Sequence, residues 1–214
     1  MTIPISAKWS SNSVTFSTFD LLPDGCRDLI LKLHKGQAPT WQVSPLFNQT
    51  ETLDILAESQ SFGFRFKPGV SIDEAGLLDL ICRDNLYLDE VEDVIANFVH
   101  LDIGVEEALA CLASNVSSVA MAASRLGISS RTLQRYLIRH TDRSPSYWLR
   151  LGRVRKAARA LFDSVPIIEV ADHYGYSDQA DMSREFNHWF NNSPAKLRLN
   201  SDYTDQLNTS GYAL

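Results

Sequence analysis

Two stretches in the last hundred residues place arginine, glutamine and hydroxyl side chains at matching positions. The first, SRLGISSRTLQRYL (124–137), carries Ser130, Arg131, Thr132, Gln134 and Arg135, with Arg139 a helical turn further on. The second, DHYGYSDQADMSREFNHWF (172–190), carries Ser177, Gln179, Asp181, Ser183, Arg184 and His188. These groups recognise flat, polar partners. Arg donates two hydrogen bonds to guanine O6 and N7, Gln pairs with adenine N6 and N7, and each well-placed pair discriminates by about 1–3 kcal/mol. A single copy would read better as the solvated face of a helical bundle. Two copies in register within a basic segment favour duplex DNA as the partner.

The elements that must hold these side chains follow from the same repeat. Gly127-Ile128-Ser129 and Gly175-Tyr176-Ser177 lie 48 residues apart. Leu133/Met182, Arg135/Arg184, Leu137/Phe186 and Ser144-Pro145/Ser193-Pro194 lie 49 apart, because the second copy has one extra residue after Ser177. Each copy reads as helix, glycine turn, helix. Val119, Ala122, Ala123 and Leu126 line one face, and Gly127 ends that helix in a left-handed conformation that a Cβ would resist. Ser129 or Ser130 caps the next helix, about 130–140, with Leu133 and Leu137 inward. In the second copy Ile167, Val170, Ala171 and Tyr174 pack and Gly175 turns. Ser177 or Asp178 caps a helix over about 178–189, with Met182, Phe186 and either Trp189 or Phe190 inward.

Ser144-Pro145 starts the connector, a capping hydroxyl followed by proline at the first helical position. Tyr147, Leu151, Val154, Ala158 and Leu161 form its apolar stripe, with Arg150, Arg153, Lys156 and Arg159 on other faces. About 17 residues make a rod of roughly 26 Å, to be compared with roughly 34 Å between successive major grooves on one DNA face. Gly152 inside the rod costs about 1 kcal/mol relative to Ala, which close packing alone would explain.

The net charge of −6 argues against a nucleic-acid partner until it is divided. Residues 1–103 hold 7 Lys+Arg against 15 Asp+Glu, whereas residues 104–200 hold 13 against 9. The basic segment is the one with the repeat, and such asymmetry says more than the total. With 44% hydrophobic and 21% charged residues the composition is that of a globular protein. Cys26, Cys82 and Cys111 are odd in number and too scattered for a zinc knuckle or disulfide scaffold, so a reducing cytoplasm is expected. MTIPISAKWSSN lacks the apolar core of a signal peptide, and no run of 18 apolar residues occurs, so no membrane partner is expected.

Residues 1–103 read differently. VTFSTF (14–19), DLILKL (28–33), WQV (41–43), TLDIL (52–56) and FGFRFK (62–67) are strand candidates punctuated by Pro23-Asp24-Gly25, Lys35-Gly36 and Pro68-Gly69. They predict a small antiparallel sheet or partial barrel. From Ser71 the period becomes helical, with Leu88, Val91, Ile95 and Phe98 as a stripe along 87–99. LDIG (101–104) reads as a break, with Gly104 suited to a helix end. The division expected is therefore 1–103, a β-rich sensing or dimerisation domain ending in helices; 104–200, all helical; and 201–214, a polar tail that frays.

Residues 105–199 resemble the DNA-binding domain of AraC/XylS-type transcriptional regulators. The resemblance is carried by Gly127-Ile128-Ser129, Leu133-Gln134-Arg135, Ser144-Pro145, Arg153 with Ala157, Gly175-Tyr176-Ser177-Asp178-Gln179, Ser183-Arg184 with Phe186, and Ser193-Pro194. It implies an α+β chain: a small β-rich, cupin-like N-terminal domain with helices, then a seven-helix double helix-turn-helix domain with its two recognition helices in adjacent major grooves. By position, Arg131, Gln134 and Arg135 are the readers of the first unit, and Gln179, Asp181 and Arg184 those of the second. Asp142 and Asn191 stand where the family usually has Gly, and both residue types tolerate left-handed geometry. Asp178 and Asp181 would repel phosphate, which makes the second unit the weaker grip or one needing a donor such as cytosine N4. LLPDGCRDLI (21–30) and FGFRFKPG (62–69) resemble the edges of the β-rich domain some of these regulators carry. The partners implied are duplex DNA, RNA polymerase, and a small-molecule effector or second copy at the N-terminal domain, with no cofactor. Two rivals are an interaction module that does not bind DNA and a cupin-type metalloenzyme, for which residues 1–103 supply only His34 and His100.

Overall fold

The computed structural model describes residues 4–163, 165–209 and 211–213. Strands β1 (Ile5–Ser13), β6 (Ser59–Phe66), β3 (Asp28–His34) and β4 (Thr40–Val43) form one antiparallel sheet in that order. Strands β2 (Ser17–Leu21) and β5 (Glu51–Ile55) form a separate two-stranded ribbon, and β7 (Ser71–Ile72) pairs β8 (Val99–His100). Leu29 lies opposite Phe64, and their side chains join Phe66, Val70 and Val99 under helices α1 (Glu74–Asp84) and α2 (Leu88–Ile95), which contribute Leu77, Ile81, Val91 and Ile95.

Two strand expectations need correction. Residues 14–19 are not one strand: β1 stops at Ser13, and the chain crosses to the ribbon before β2 begins at Ser17. Val14 and Phe16 are exposed there, so the alternation reflected no buried face. Strand β1 itself was not anticipated. It half-buries Ile5, Ala7 and Trp9, but its second half, SSNS, has no apolar residue to mark a face.

The rest is helical: α3 (Ile103–Ala113), α4 (Val119–Arg125), α5 (Ser130–Thr141), α6 (Pro145–Ala160), α7 (Ile167–His173), α8 (Gln179–Phe190) and α9 (Pro194–Leu197), followed by α10 (Ser201–Asn208). A β-rich part followed by a helical part is the α+β arrangement anticipated, and among the described residues α3 to α9 are seven helices, with α10 an eighth beyond them. Gly104, however, ends no helix. Asp102 caps the start of α3 by accepting from the Gly104 and Val105 amides at 2.8 and 3.3 Å. Gly104 sits in the first turn, where a Cβ would run into the Tyr136 hydroxyl.

Residues 201–209 and 211–213 do not fray. Tyr203, Leu207 and Tyr212 are buried, and they join a core that runs from Leu22 through α3 to α9. The Gln206 amide accepts from Leu22 N at 2.9 Å and donates to Asp20 O at 2.8 Å. Tyr203 Oη donates to Asp20 Oδ2 at 2.8 Å, and Tyr212 N donates to Asp24 O at 2.8 Å. Three apolar anchors with satisfied polar neighbours outweigh the polar average of the segment.

Candidate nucleic-acid interface

In the first unit, Gly127 has φ of +69°, the left-handed turn expected of it. Ser129, not Ser130, caps α5, accepting from Thr132 N at 3.1 Å. Leu133 and Leu137 are fully buried, and Ala122 and Ala123 of α4 belong to the same core. The opposite face presents Ser130, Arg131, Thr132, Gln134, Arg135 and Arg139, all exposed. Arg131, Arg135 and Arg139 follow at steps of four, so they form one column along the helix. Among the described residues no hydrogen bond or ion pair engages the side chains of Arg131, Gln134, Arg135 or Arg139, whereas Thr132 shares its hydroxyl with Ser129 at 2.9 Å. Asp142 ends α5 at φ 52°, in the left-handed geometry.

The second unit repeats the scaffold with a different surface. Gly175 turns at φ +71°, Asp178 rather than Ser177 caps α8 by accepting from Asp181 N at 2.6 Å, and Asn191 ends it at φ 51°. Met182, Phe186, Trp189 and Phe190 are all buried, so both aromatic alternatives point inward. Ser177, Gln179, Arg184 and His188 are exposed, while Asp181 and Ser183 are half-buried. Ser183 donates back to Gln179 O at 2.8 Å. Asp181 Oδ2 accepts from the Ser177 amide and hydroxyl at 3.3 and 3.0 Å, and Oδ1 lies 3.5 Å from Arg184 Nη2. The Ser177 amide and then its hydroxyl hold the Asp181 carboxyl below the usual carboxylate range. His188 packs edge-on to Trp189, with ring centres 5.3 Å apart.

Sequence reasoning missed Glu185. It lies on the buried side of α8, accepting from Arg150 Nε and, at 2.9 Å, from Arg153 Nη2. An acidic residue wedged between Met182 and Phe186 in the inward stripe was the available signal. The consequence is electrostatic. The basic residues of α6 serve the fold: Arg153 lies over the Tyr176 ring, Lys156 donates to Ala113 O, and Arg159 donates to Leu207 O and Ala213 O. Unengaged positive charge is thereby concentrated on α5. The 16 residues of α6 span about 24 Å, and the helix packs against α3, α4, α5, α7 and α8.

A family model described as "Helix-turn-helix domain" matches residues 122–200. The multiple antibiotic resistance protein MarA of Salmonella typhimurium is 30% identical over 101 residues, covering 44% of this chain and 80% of that protein. This chain belongs to the AraC/XylS family. The MarA of Escherichia coli K12 is likewise 30% identical, over 83 residues, covering 38% and 65%. Among solved structures, the C-terminal domain of AraT, a response regulator from Geobacillus stearothermophilus, is 28% identical with a TM-score of 0.44, covering 50% of this chain and 94% of that one. ToxT from Vibrio cholerae is 13% identical with a TM-score of 0.47, covering 95% and 98%. As an AraC-type chain it is a DNA-binding transcriptional regulator. Its two N-terminal histidines lie apart in the topology, His34 at the end of β3 and His100 in β8. No helix among the described residues is long and apolar enough to cross a membrane.

Proposed function

We propose that the regulator reads duplex DNA sequence-specifically by placing α5 and α8 in successive major grooves, with α6 as the rod between them. The observation that carries this reading is the unengaged donor face of α5, where Arg131, Gln134, Arg135 and Arg139 stand in solvent beside the exposed Ser130 and Thr132 hydroxyls. Arg131 and Arg135 on that face offer bidentate donors to guanine, and Gln134 offers a pair to adenine. In the second unit Gln179, Arg184, Ser183 and His188 are the readers, and Ser177 and Asp181 close the turn beneath them. Asp181 already accepts twice from Ser177 and lies beside Arg184, which supports α5 as the anchor and α8 as the tuning half.

Residues 104–200 are the DNA-binding domain in this reading. Residues 1–103 serve sensing or assembly, with a small-molecule effector, a second copy of the chain or RNA polymerase as the partner classes. Selection of bound sequences from random duplex DNA by the full chain tests the proposal. Two short motifs about one helical turn apart, the first more constrained, are the expected result. Binding with no sequence preference at any salt concentration would overturn it.

A further inference from the structure

The segment between β4 and β5, residues 44–50, runs from the β-rich part to the C-terminal ends of both helices that face solvent with the reading residues. At its first end Leu46 O accepts from Arg143 Nη2 at 2.9 Å, and Phe47 O accepts from Tyr147 Oη at 2.9 Å. Arg143 directly follows the Asp142 cap of α5, and Tyr147 lies in the first turn of α6. At its other end Thr50 donates to Trp189 O twice, from its amide at 2.8 Å and its hydroxyl at 3.2 Å. Asn191 Nδ2 then donates to Thr50 O at 3.1 Å. Trp189 is in the last turn of α8 and Asn191 is its cap.

The two Thr50 bonds occupy a group that a helix end ordinarily leaves to water. The last four carbonyls of an α-helix have no partner inside it, and Trp189 O is one of them. Thr50 is buried, 6% exposed, so its pairing is shielded from solvent competition. Asn191 supplies a second argument. A left-handed cap at φ 51° is formed at least as readily by Gly, so the cap alone does not call for an amide. The tether to Thr50 does.

We infer that segment 44–50 is a positioning element for DNA reading. By bonding the end of α5 and the end of α8 to one short stretch, it fixes the separation and angle of the two readers. It thereby sets the spacing between half-sites that the regulator accepts. Arg143, Tyr147, Thr50 and Asn191 are in this account specificity-determining residues that touch no base. The inference rests on α5 and α8 reading two grooves.

The test uses the full chain and a triple variant, Thr50→Val, Tyr147→Phe, Asn191→Gly, which keeps shape and the left-handed cap while removing three side-chain bonds. Both are titrated with the selected two-part site and with sites lengthened or shortened by one base pair. The unsubstituted chain is expected to lose about tenfold on either altered site, the size of one mismatch. The variant is expected to lose no more than about threefold, with single half-sites bound equally by both proteins. Equal spacing discrimination in the two proteins overturns the positioning role and leaves two-groove reading standing. An unsubstituted chain that selects no two-part site overturns both. Asn191→Gly alone, suited to its backbone and leaving the other bonds intact, repeats the comparison should the triple variant melt early, and unchanged discrimination there likewise counts against the role.

Discussion

Arg155, wholly buried in the middle of α6, donates from Nε to the Tyr212 carbonyl at 3.1 Å. The same guanidinium donates from Nη1 to Pro23 O at 3.2 Å, so the rod between the two helix-turn-helix units is bonded to both the β-rich part and the last described residues. Burial pushes the Arg155 pKa down, with Asp24 pulling it back up. An unpaired buried charge would cost several kcal/mol, which the carbonyls and Asp24 offset. The Tyr212 ring meets Trp148 edge-on at 5.0 Å, and its hydroxyl donates to Leu109 O at 3.0 Å.

This arrangement explains Gly152 and predicts how it responds to substitution. A Cβ at Gly152 would lie 3.1 Å from Tyr212 Cε1 and 3.4 Å from Ala213 Cβ. With both ends of Tyr212 held, the ring cannot yield, so Gly152→Ala should lower stability despite the gain of about 1 kcal/mol in helix propensity. Tyr212→Ala alone should cost about 3–5 kcal/mol. In the Tyr212→Ala background, Gly152→Ala should instead stabilise by up to about 1 kcal/mol. Urea denaturation of the four proteins checks the sign reversal, and additive effects would mean that Gly152 has another cause.

How far the sequence could be read depended on whether a feature was local. Gly127, Gly175, Ser144-Pro145 and the Leu133/Leu137 and Met182/Phe186 stripes were legible because caps and helical periodicity are written within a few residues of where they act. Arg155 and the tail were not, and at Gly152 only the need for close packing was, because their partners lie far along the chain, as in Arg155 to Pro23, 132 residues apart. The basic residues of α6 were visible as charge but not as fold components, since the acid that takes Arg150 and Arg153 is on another helix. In the β-rich part, Val14 and Phe16 mimicked a strand face because alternation alone does not say whether a second layer covers it.

Glu185 should be a structural carboxylate rather than a DNA contact. Glu185→Ala removes the acceptor for Arg150 and Arg153, and hydrogen bonds to charged groups are worth about 1.5–3 kcal/mol. Because the arginine side chains are 46% and 32% exposed, solvent recovers part of this, leaving an expected cost of about 1–2 kcal/mol. A thermal or urea unfolding curve measures it. Loss of DNA affinity with unchanged stability would contradict the assignment.

The Asp181 carboxylate gives a pH signature. Its folded pKa is depressed by the Ser177 amide and hydroxyl, so its contribution is fully present above the ordinary aspartate value of about 3.9 and is lost as pH falls through the lower folded value. Asp181→Ala should therefore cost about 0.5–1.5 kcal/mol, constant between about pH 5 and 8. The penalty should shrink only below about pH 4. Denaturant midpoints of the variant and parent across this range test it, and a penalty that varies near neutrality would assign the effect to another group.

Reading roles should differ between the two helices. Gln134 has no partner among the described residues, so Gln134→Ala leaves the free protein unchanged and should cost about 1–3 kcal/mol on the selected site, with relaxed preference at one position. Arg184 is already 3.5 Å from Asp181 and must exchange that contact for a base, so Arg184→Ala should cost toward the lower end of the same range, about 1 kcal/mol. Arg139, a turn beyond Arg135 and near the C-terminal end of α5, should act on the backbone: Arg139→Ala weakens all sequences alike and reduces the salt slope by about 1. Binding isotherms on selected and scrambled duplexes at several salt concentrations separate these outcomes. Equal losses on both duplexes for Gln134→Ala would reduce it to a backbone contact and remove base reading from the anchor helix.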